Sequence, residues 1–416
     1  MIKKYFIKII NKFNFIFLKQ PKINKINKYI TNNKNNNIIS IIIDCELLTL
    51  NQYLEPVVEE LQKLNDYKFE FYFGETIKGA GSSYLGYKKK NAFSTTLYQY
   101  LKGEMIFLSP HIYPKGPESA LKILFDHAMC TMKFSFHPKQ LYLNYDIYCV
   151  TGILYEQKIK KIFETFELID NIYIAPVGFP KSDKLHNNII TSKLEIYSRL
   201  KLDPNKKTII YAPSWEEGLS AREYGIELTR TILNNKNINL IVKLHPGFFI
   251  SKKDKNYSFY TGNINWSENF SIFNNYNNIA FVREFKVDGL LYISDIMITD
   301  LSSVALEFFV LDKQVIFLNC PNFEKTFQNL YSKYNNTTYS ELLNDPYSNA
   351  GRHVGLINYN YNTILDDIQF LIDNPDYKMK ERKAYTELLL YNKGFASKMG
   401  AKTIIDNYKK KYKVKS

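Results

Sequence analysis

The sequence predicts an α/β protein of two doubly wound domains that face a cleft, preceded by a basic amphipathic helix. Three observations predict it. At 416 residues the chain is too long for one ordinary core, which points to two or three domains. Short β-type runs alternate with helical stretches, the order that builds a mostly parallel sheet. That alternation occurs twice, the second series starting near Thr191. Apolar residues make up 45% of the chain, ample material for two cores.

Residues 2–18 come first. Phe6, Ile9, Ile10, Phe13, Ile16 and Phe17 recur at helical spacing, while Lys4, Lys8, Asn11, Lys12 and Lys19 fall mostly elsewhere. Such a helix either lies in the headgroup layer of an anionic membrane or packs on the body with its lysines solvated. No acid precedes Asp44, so much of the net charge of +14 is local to this arm. The rest is only mildly basic, and whole-protein nucleic-acid binding is therefore a poor reading. Residues 20–37, rich in Asn and Lys, read as a linker, making 1–37 a membrane-contact arm and linker. No run of about 18 apolar residues predicts a transmembrane helix. The apolar stretch is not followed by a small-residue cleavage site, which argues against a signal peptide. Cys45, Cys130, Cys149 and Cys320 lie far apart, which indicates neither a zinc nor a redox motif and fits the cytosol.

The first domain is expected over 38–185. Strands are predicted at 38–43, 68–73, 104–108, 145–150 and 172–177, with helices at 54–64 and 155–166. The second is expected over 186–375, with strands at 208–211, 240–244, 279–282, 296–298 and 315–318 and helices at 224–233, 287–292 and 303–311. A Lys-rich helical tail fills 376–416. In such sheets ligands sit outside the carboxyl ends of the strands.

Four segments at those ends can carry chemistry. In the first, a buried strand ends at Thr299-Asp300 and a helix begins near Ser302-Ser303. Ser is a good N-cap, and backbone N–H groups with two hydroxyls there suit phosphate. Glu307, four residues after Ser303, reaches the same side and can hold ribose hydroxyls. A plain capping box with no ligand reads equally well. In the second, His245 follows a strand and precedes Pro246; it can neutralise phosphate, supply a proton to a leaving group, or simply sit at a turn. In the third, Ser214-Trp215 lies just past a strand, and Trp215 either stacks on a base or covers the core edge. In the fourth, His127 follows an apolar run; it is a general base for a hydroxyl nucleophile, tuned by Asp126 or another carboxylate, or a buried, hydrogen-bonded histidine. Lys133 closes that last segment, and Lys88-Lys89-Lys90 end a Gly-rich loop that is either an acceptor-phosphate site or solvated. No Walker A, GxGxxG, HExxH or DxD-type pattern appears, so neither a metal nor a cofactor is expected.

Together and in order these segments resemble the CDP-glycerol glycerophosphotransferase family, the teichoic-acid-type primases and polymerases. The carriers are His127-Ala128, Gly178-Phe179-Pro180-Lys181-Ser182-Asp183, Tyr211 through Trp215, His245-Pro246, and Ser294-Asp295 through Ser303. The resemblance implies a GT-B fold, two Rossmann-like domains with the active site between them. It implies attack by an acceptor hydroxyl on the β-phosphate of CDP-glycerol, with CMP leaving. On that reading His127 and His245 are catalytic, His127 as the base. Ser214, Trp215, Thr299, Asp300, Ser302, Ser303 and Glu307 bind the donor, and Lys88, Lys89 and Lys133 bind the acceptor. The acceptor is a cell-surface glycan or its lipid-linked precursor, at the inner leaflet of the membrane. Ala128, Leu301 and Glu216 depart from the family's Gly, Tyr and Arg. Two other classes stay open: a GT-B glycosyltransferase or UDP-N-acetylglucosamine 2-epimerase-like enzyme, and a non-catalytic scaffold.

Overall fold

The computed structural model describes residues 19–47, 50–76, 92–127, 129, 137–187, 192–284, 286–326, 328, 339–346 and 349–414. The predicted amphipathic helix at 2–18 lies outside them, as do Lys88, Lys89 and Lys133.

The Asn- and Lys-rich segment expected as a linker is instead a helix, α1 (Gln20–Asn35). Its apolar stripe is narrow, with Ile23 and Ile30 buried against the first domain. Asn33 donates to Ser40 Oγ and to the Tyr72 hydroxyl, both at 3.0 Å, so a polar side chain also serves the docking. A helix docked on one stripe needs little intrinsic hydrophobicity, because packing rather than propensity supplies most of its stability.

The first sheet holds β1 (Ile38–Cys45), β2 (Lys68–Glu75), β3 (Ala92–Ser94), β4 (Ile106–Ser109), β5 (Leu121–Phe125), β6 (Ile147–Val150) and β7 (Tyr173–Pro176). Their order is β3-β2-β1-β4-β5-β6-β7 and every pairing is parallel. Isoleucine-rich β1 is buried along almost its whole length, as a strand covered on both faces must be. Helix α2 (Asn51–Gln62) covers one face with Leu54, Val57, Val58 and Leu61. Helix α3 (Ile153–Thr165) covers the other with Tyr155, Ile159, Ile162 and Phe163.

The second sheet holds β8 (Lys207–Tyr211), β9 (Ile238–Val242), β10 (Ile279–Phe281), β11 (Ile296–Thr299), β12 (Gln314–Leu318) and β13 (Leu356–Asn358). Their order is β10-β9-β8-β11-β12-β13, again all parallel. Helices α4 (Ser220–Leu233), α5 (Asp288–Ile293) and α6 (Val304–Phe309) belong to this half. Both sheets reverse direction of progression at one place, between β1 and β4 and between β8 and β11. Those are the switch points outside which ligands bind in such folds.

The tail forms α7 (Met379–Leu389) and α8 (Ala396–Tyr412). Helix α8 returns to the first domain, where Ala401, Ile404, Ile405 and Tyr408 join the core under β1, β4 and β5. Asp183 holds its start: the carboxylate accepts from Ala396 N (3.1 Å), Ser397 N (2.8 Å) and Ser397 Oγ (2.6 Å). A carboxylate supplied from elsewhere in the chain thus satisfies N–H groups that the helix cannot pair itself. Gly178 makes the crossing possible. Its φ is 97°, and a Cβ there would stand 2.3 Å from the Tyr391 carbonyl oxygen.

Candidate active site

His127 follows β5 by two residues, at the carboxyl edge of the first sheet. Its Nδ1 lies 3.0 Å from the Pro110 carbonyl oxygen and 3.2 Å from Asp126 Oδ1. A carbonyl oxygen can only accept, so Nδ1 carries the hydrogen and Nε2 is the nitrogen with basic character. Tyr53 braces the ring edge-on at 6.0 Å between centroids. Burial pushes the Asp126 carboxyl up, but its hydrogen bond and charge interaction with His127 and the Tyr155 hydroxyl outweigh this and hold it low. A lasting negative charge beside Nδ1 stabilises the imidazolium that would form on proton uptake.

In the second sheet His245 follows β9 by three residues and is exposed. The Gly247 N–H donates to its Nδ1 at 3.0 Å. That fixes the opposite tautomer, with the hydrogen on Nε2, so the neutral ring presents a donor. One histidine is thus set up to accept a proton and the other to donate a hydrogen bond. Lys243, two residues before His245, is buried with its ammonium on the Leu244 carbonyl at 3.0 Å. Burial pushes its pKa down to about 8.

Thr299 and Asp300, expected at the donor, turn their side chains into the protein. Both are fully buried. Thr299 Oγ1 donates to the Ala212 carbonyl at 2.7 Å. Asp300 accepts from Ser214 N (2.8 Å), Ser220 N (3.0 Å) and Ser220 Oγ (2.6 Å). Burial raises the Asp300 carboxyl, and these hydrogen bonds oppose the rise. The end of β11 therefore clasps the loop after β8 and sets the height of Ser214 and Trp215. Ser214 is itself buried, with its N–H committed to that clasp. Trp215 packs against Phe259 and Tyr260, with centroids at 4.8 and 4.7 Å, and 6.4 Å from the His245 ring.

Ser302 and Ser303 lie in the turn between β11 and α6, Ser303 exposed. The Ser303 side chain makes no capping hydrogen bond, so the plain capping box is not formed. Glu307, expected beside ribose, is buried and paired instead with Lys181 at 2.5 Å. Lys181 is only 3% exposed, lies 3.8 Å from Asp288 Oδ1, and sits 5.1 Å from the Tyr53 ring centroid. The sequence marks the Pro-containing turn 178–183 only through the family resemblance and assigns its lysine no role. A basic residue in the Pro-turn was the available signal; its partner, more than a hundred positions on, left none.

The model of the CDP-glycerol:poly(glycerophosphate) glycerophosphotransferase family matches residues 138–352, just over half the chain. The chain belongs to this family. The matched range takes in the Lys181 turn, both loops of the second domain and the β11–α6 turn, while His127 precedes it. The chain is 27% identical over 200 residues to the teichoic acid poly(glycerol phosphate) polymerase of Staphylococcus epidermidis, covering 46% of this chain and 26% of the relative. The curated relatives match over only 26% to 41% of their own lengths. Among solved structures, the wall teichoic acid polymerase TagF superposes with a TM-score of 0.61 at 15% identity, over 99% of each chain. A UDP-N-acetylglucosamine 2-epimerase superposes with a TM-score of 0.56 at 12% identity, over 91% of this chain and 97% of the other. These likenesses establish the two-domain fold that the glycerophosphotransferases share with the epimerases, and the family assignment separates the two.

Proposed function

We propose that this protein transfers a glycerol-phosphate unit from CDP-glycerol to a hydroxyl of a cell-surface glycan or its lipid-linked precursor, releasing CMP. The observation that carries the proposal is the family match joined to the opposed tautomers of His127 and His245. On this reading His127 Nε2 takes the proton of the acceptor hydroxyl. The resulting oxygen attacks the β-phosphorus, the bond from that phosphorus to the bridging oxygen breaks, and CMP leaves with the electron pair. The Nε2–H of His245 and the hydroxyls of Ser302 and Ser303 offer hydrogen bonds to the diphosphate oxygens. Positioning and charge neutralisation supply most of the catalysis in phosphoryl transfer. The test is a donor panel with a hydroxyl acceptor such as a glycerol-phosphate oligomer. CMP release from CDP-glycerol is expected. UDP release from a UDP-sugar, with none from CDP-glycerol, would move the protein to the glycosyltransferase reading.

The acceptor's lipid end and the basic N-terminal arm support work at the inner leaflet of the membrane. Among the described residues no helix is long and apolar enough to cross a bilayer. Lys19, Lys22, Lys25 and Lys28 extend the arm's charge into α1, and a polybasic segment gains about 1 kcal/mol per residue near an anionic surface. Sedimentation with vesicles should show binding to phosphatidylglycerol-containing membranes and loss of it in high salt. Equal binding to neutral vesicles would count against an electrostatic contact.

A further inference from the structure

Asp44 stands near the carboxyl end of β1, beside β4, at the switch point of the first sheet. It is 1% exposed and heavily tied: Oδ1 accepts from the Tyr98 hydroxyl (2.9 Å) and the Glu46 N–H (3.1 Å), and Oδ2 from Ser109 Oγ (2.8 Å). His111, 5% exposed, brings its Nε2 to 3.1 Å from Asp44 Oδ2. Yet neither ring nitrogen of His111 has an aligned hydrogen-bond partner among the described residues. A buried imidazole left so is costly unless something else uses its lone pair or its proton. Glu46, exposed, supplies a second carboxylate to the same point, and one donor atom from each of the three residues lies within 4.8 Å of the others.

We infer that Asp44, Glu46 and His111 form a binding site for a divalent cation of the zinc or manganese kind. Zinc bonds to carboxylate oxygen and imidazole nitrogen are about 2.0–2.2 Å, so a small movement of the exposed Glu46 side chain brings all three onto one ion. A donor set of one imidazole and two carboxylates suits these ions better than calcium, which takes oxygen ligands alone. The cation takes up the His111 lone pair and offsets the two converging carboxylates. The Tyr98 and Ser109 hydroxyls stay on Asp44 as the outer partners that orient a liganding carboxylate. Three protein ligands leave a position open. Beside it lies a cavity of about 220 Å³ lined by Glu46, Thr95, Thr96, Tyr98, Gln99 and Lys115, in which an oxygen-bearing group can reach that position. The site lies in the first domain and does not depend on the identity of the donor. No spacing rule reveals it, because its ligands come from two strand ends brought together by the β1–β4 pairing.

The test is calorimetric titration of the intact, chelator-stripped protein with ZnCl2 and with MnCl2, beside Glu46→Gln and His111→Asn. One cation per chain is expected for the wild type. Each variant should bind at least about tenfold more weakly, since even an outer partner is worth that much. No binding by the wild type, or equal affinity in the wild type and Glu46→Gln, overturns the inference; the latter would place the ion on other surface groups, and the former would leave Asp44 and His111 as a plain buried pair. Glu46 is exposed, so Glu46→Gln keeps the fold and decides the matter even if His111→Asn fails to fold. The melting temperature gives a second reading: either cation should raise it in the wild type and raise it less in Glu46→Gln.

Discussion

His127→Ala is expected to lower kcat for CMP release from CDP-glycerol by about 10²–10⁴, the range that a positioned general base contributes. Donor binding, read as the rise in melting temperature with CDP-glycerol, should survive. His127 stands on the first sheet, whereas the groups assigned to the diphosphate stand on the second. Its side chain is 43% exposed, so the truncation removes little packing and the fold should hold. Asp126→Asn should cost much less. The Pro110 carbonyl still fixes the tautomer at 3.0 Å, and only the stabilisation of the imidazolium is weakened. That ordering, Ala at 127 far worse than Asn at 126, separates a base held by the backbone from one that depends on a carboxylate partner. Release by His127→Ala at near wild-type rate, with acceptor present, would sink the assignment. An equal loss in both variants would shift the weight onto Asp126.

The architecture was legible because its strands are buried on both faces. Runs such as Ile38 through Ile43 and Leu240 through Leu244 are nearly continuous in apolar residues, and that pattern belongs to covered parallel strands. Strands β3 and β13 span three residues each and offered no run to read. Strand β5 reads in the sequence only as the apolar run leading into His127, although it is an interior strand of its sheet. Helix α1 was hidden by composition. Asn and Lys filled the solvent faces, and Ile23, Ile26 and Ile30 alone marked the packed stripe.

The candidate site was legible as a place more than as a set of contacts. The turns after β5, β8, β9 and β11 all lie at carboxyl ends, as expected. Which side chains point outward was not. Thr299 and Asp300 turn into the protein to hold the neighbouring loop, a direction set by packing between β8 and β11. Spacing cannot tell a carboxylate that meets a ligand from one that meets a backbone N–H. Nor could it tell that Glu307 would meet Lys181.

Lys181→Met should destabilise the protein by roughly 3–5 kcal/mol in urea unfolding, the cost of leaving one member of a buried ion pair alone. The pair is dry, with side chains 3% and 9% exposed, and it joins the turn after β7 to α6 of the second sheet. Burial works against the Lys181 ammonium, but the carboxylates of Glu307 and Asp288 outweigh it and raise its pKa. A raised lysine contributes stability that is fully present below its ordinary value of 10.5 and lost only as pH climbs through the higher folded value. In Lys181→Met the Glu307 carboxyl, already raised by burial, loses the charge that held it down. It should take up a proton as pH falls, so the loss should be smaller at pH 6 than at pH 9. Glu307→Gln should cost less, because the amide keeps a hydrogen bond to the ammonium and Asp288 remains as a counter-charge 3.8 Å away. The double variant Lys181→Met/Glu307→Leu should recover most of the loss, since replacing a whole buried pair by apolar groups is often neutral. Recovery would show that Lys181→Met is costly because of the charge it strands on Glu307 and not because of lost packing. The double variant then also tests function. If it is stable but slow, the Lys181–Glu307 contact holds the two sheets at the separation that brings His127 and His245 to one phosphate. If it is stable and fast, the contact between the domains rests on the Lys286–Glu55 bridge at 2.9 Å and on the crossing of α8 back to the first domain.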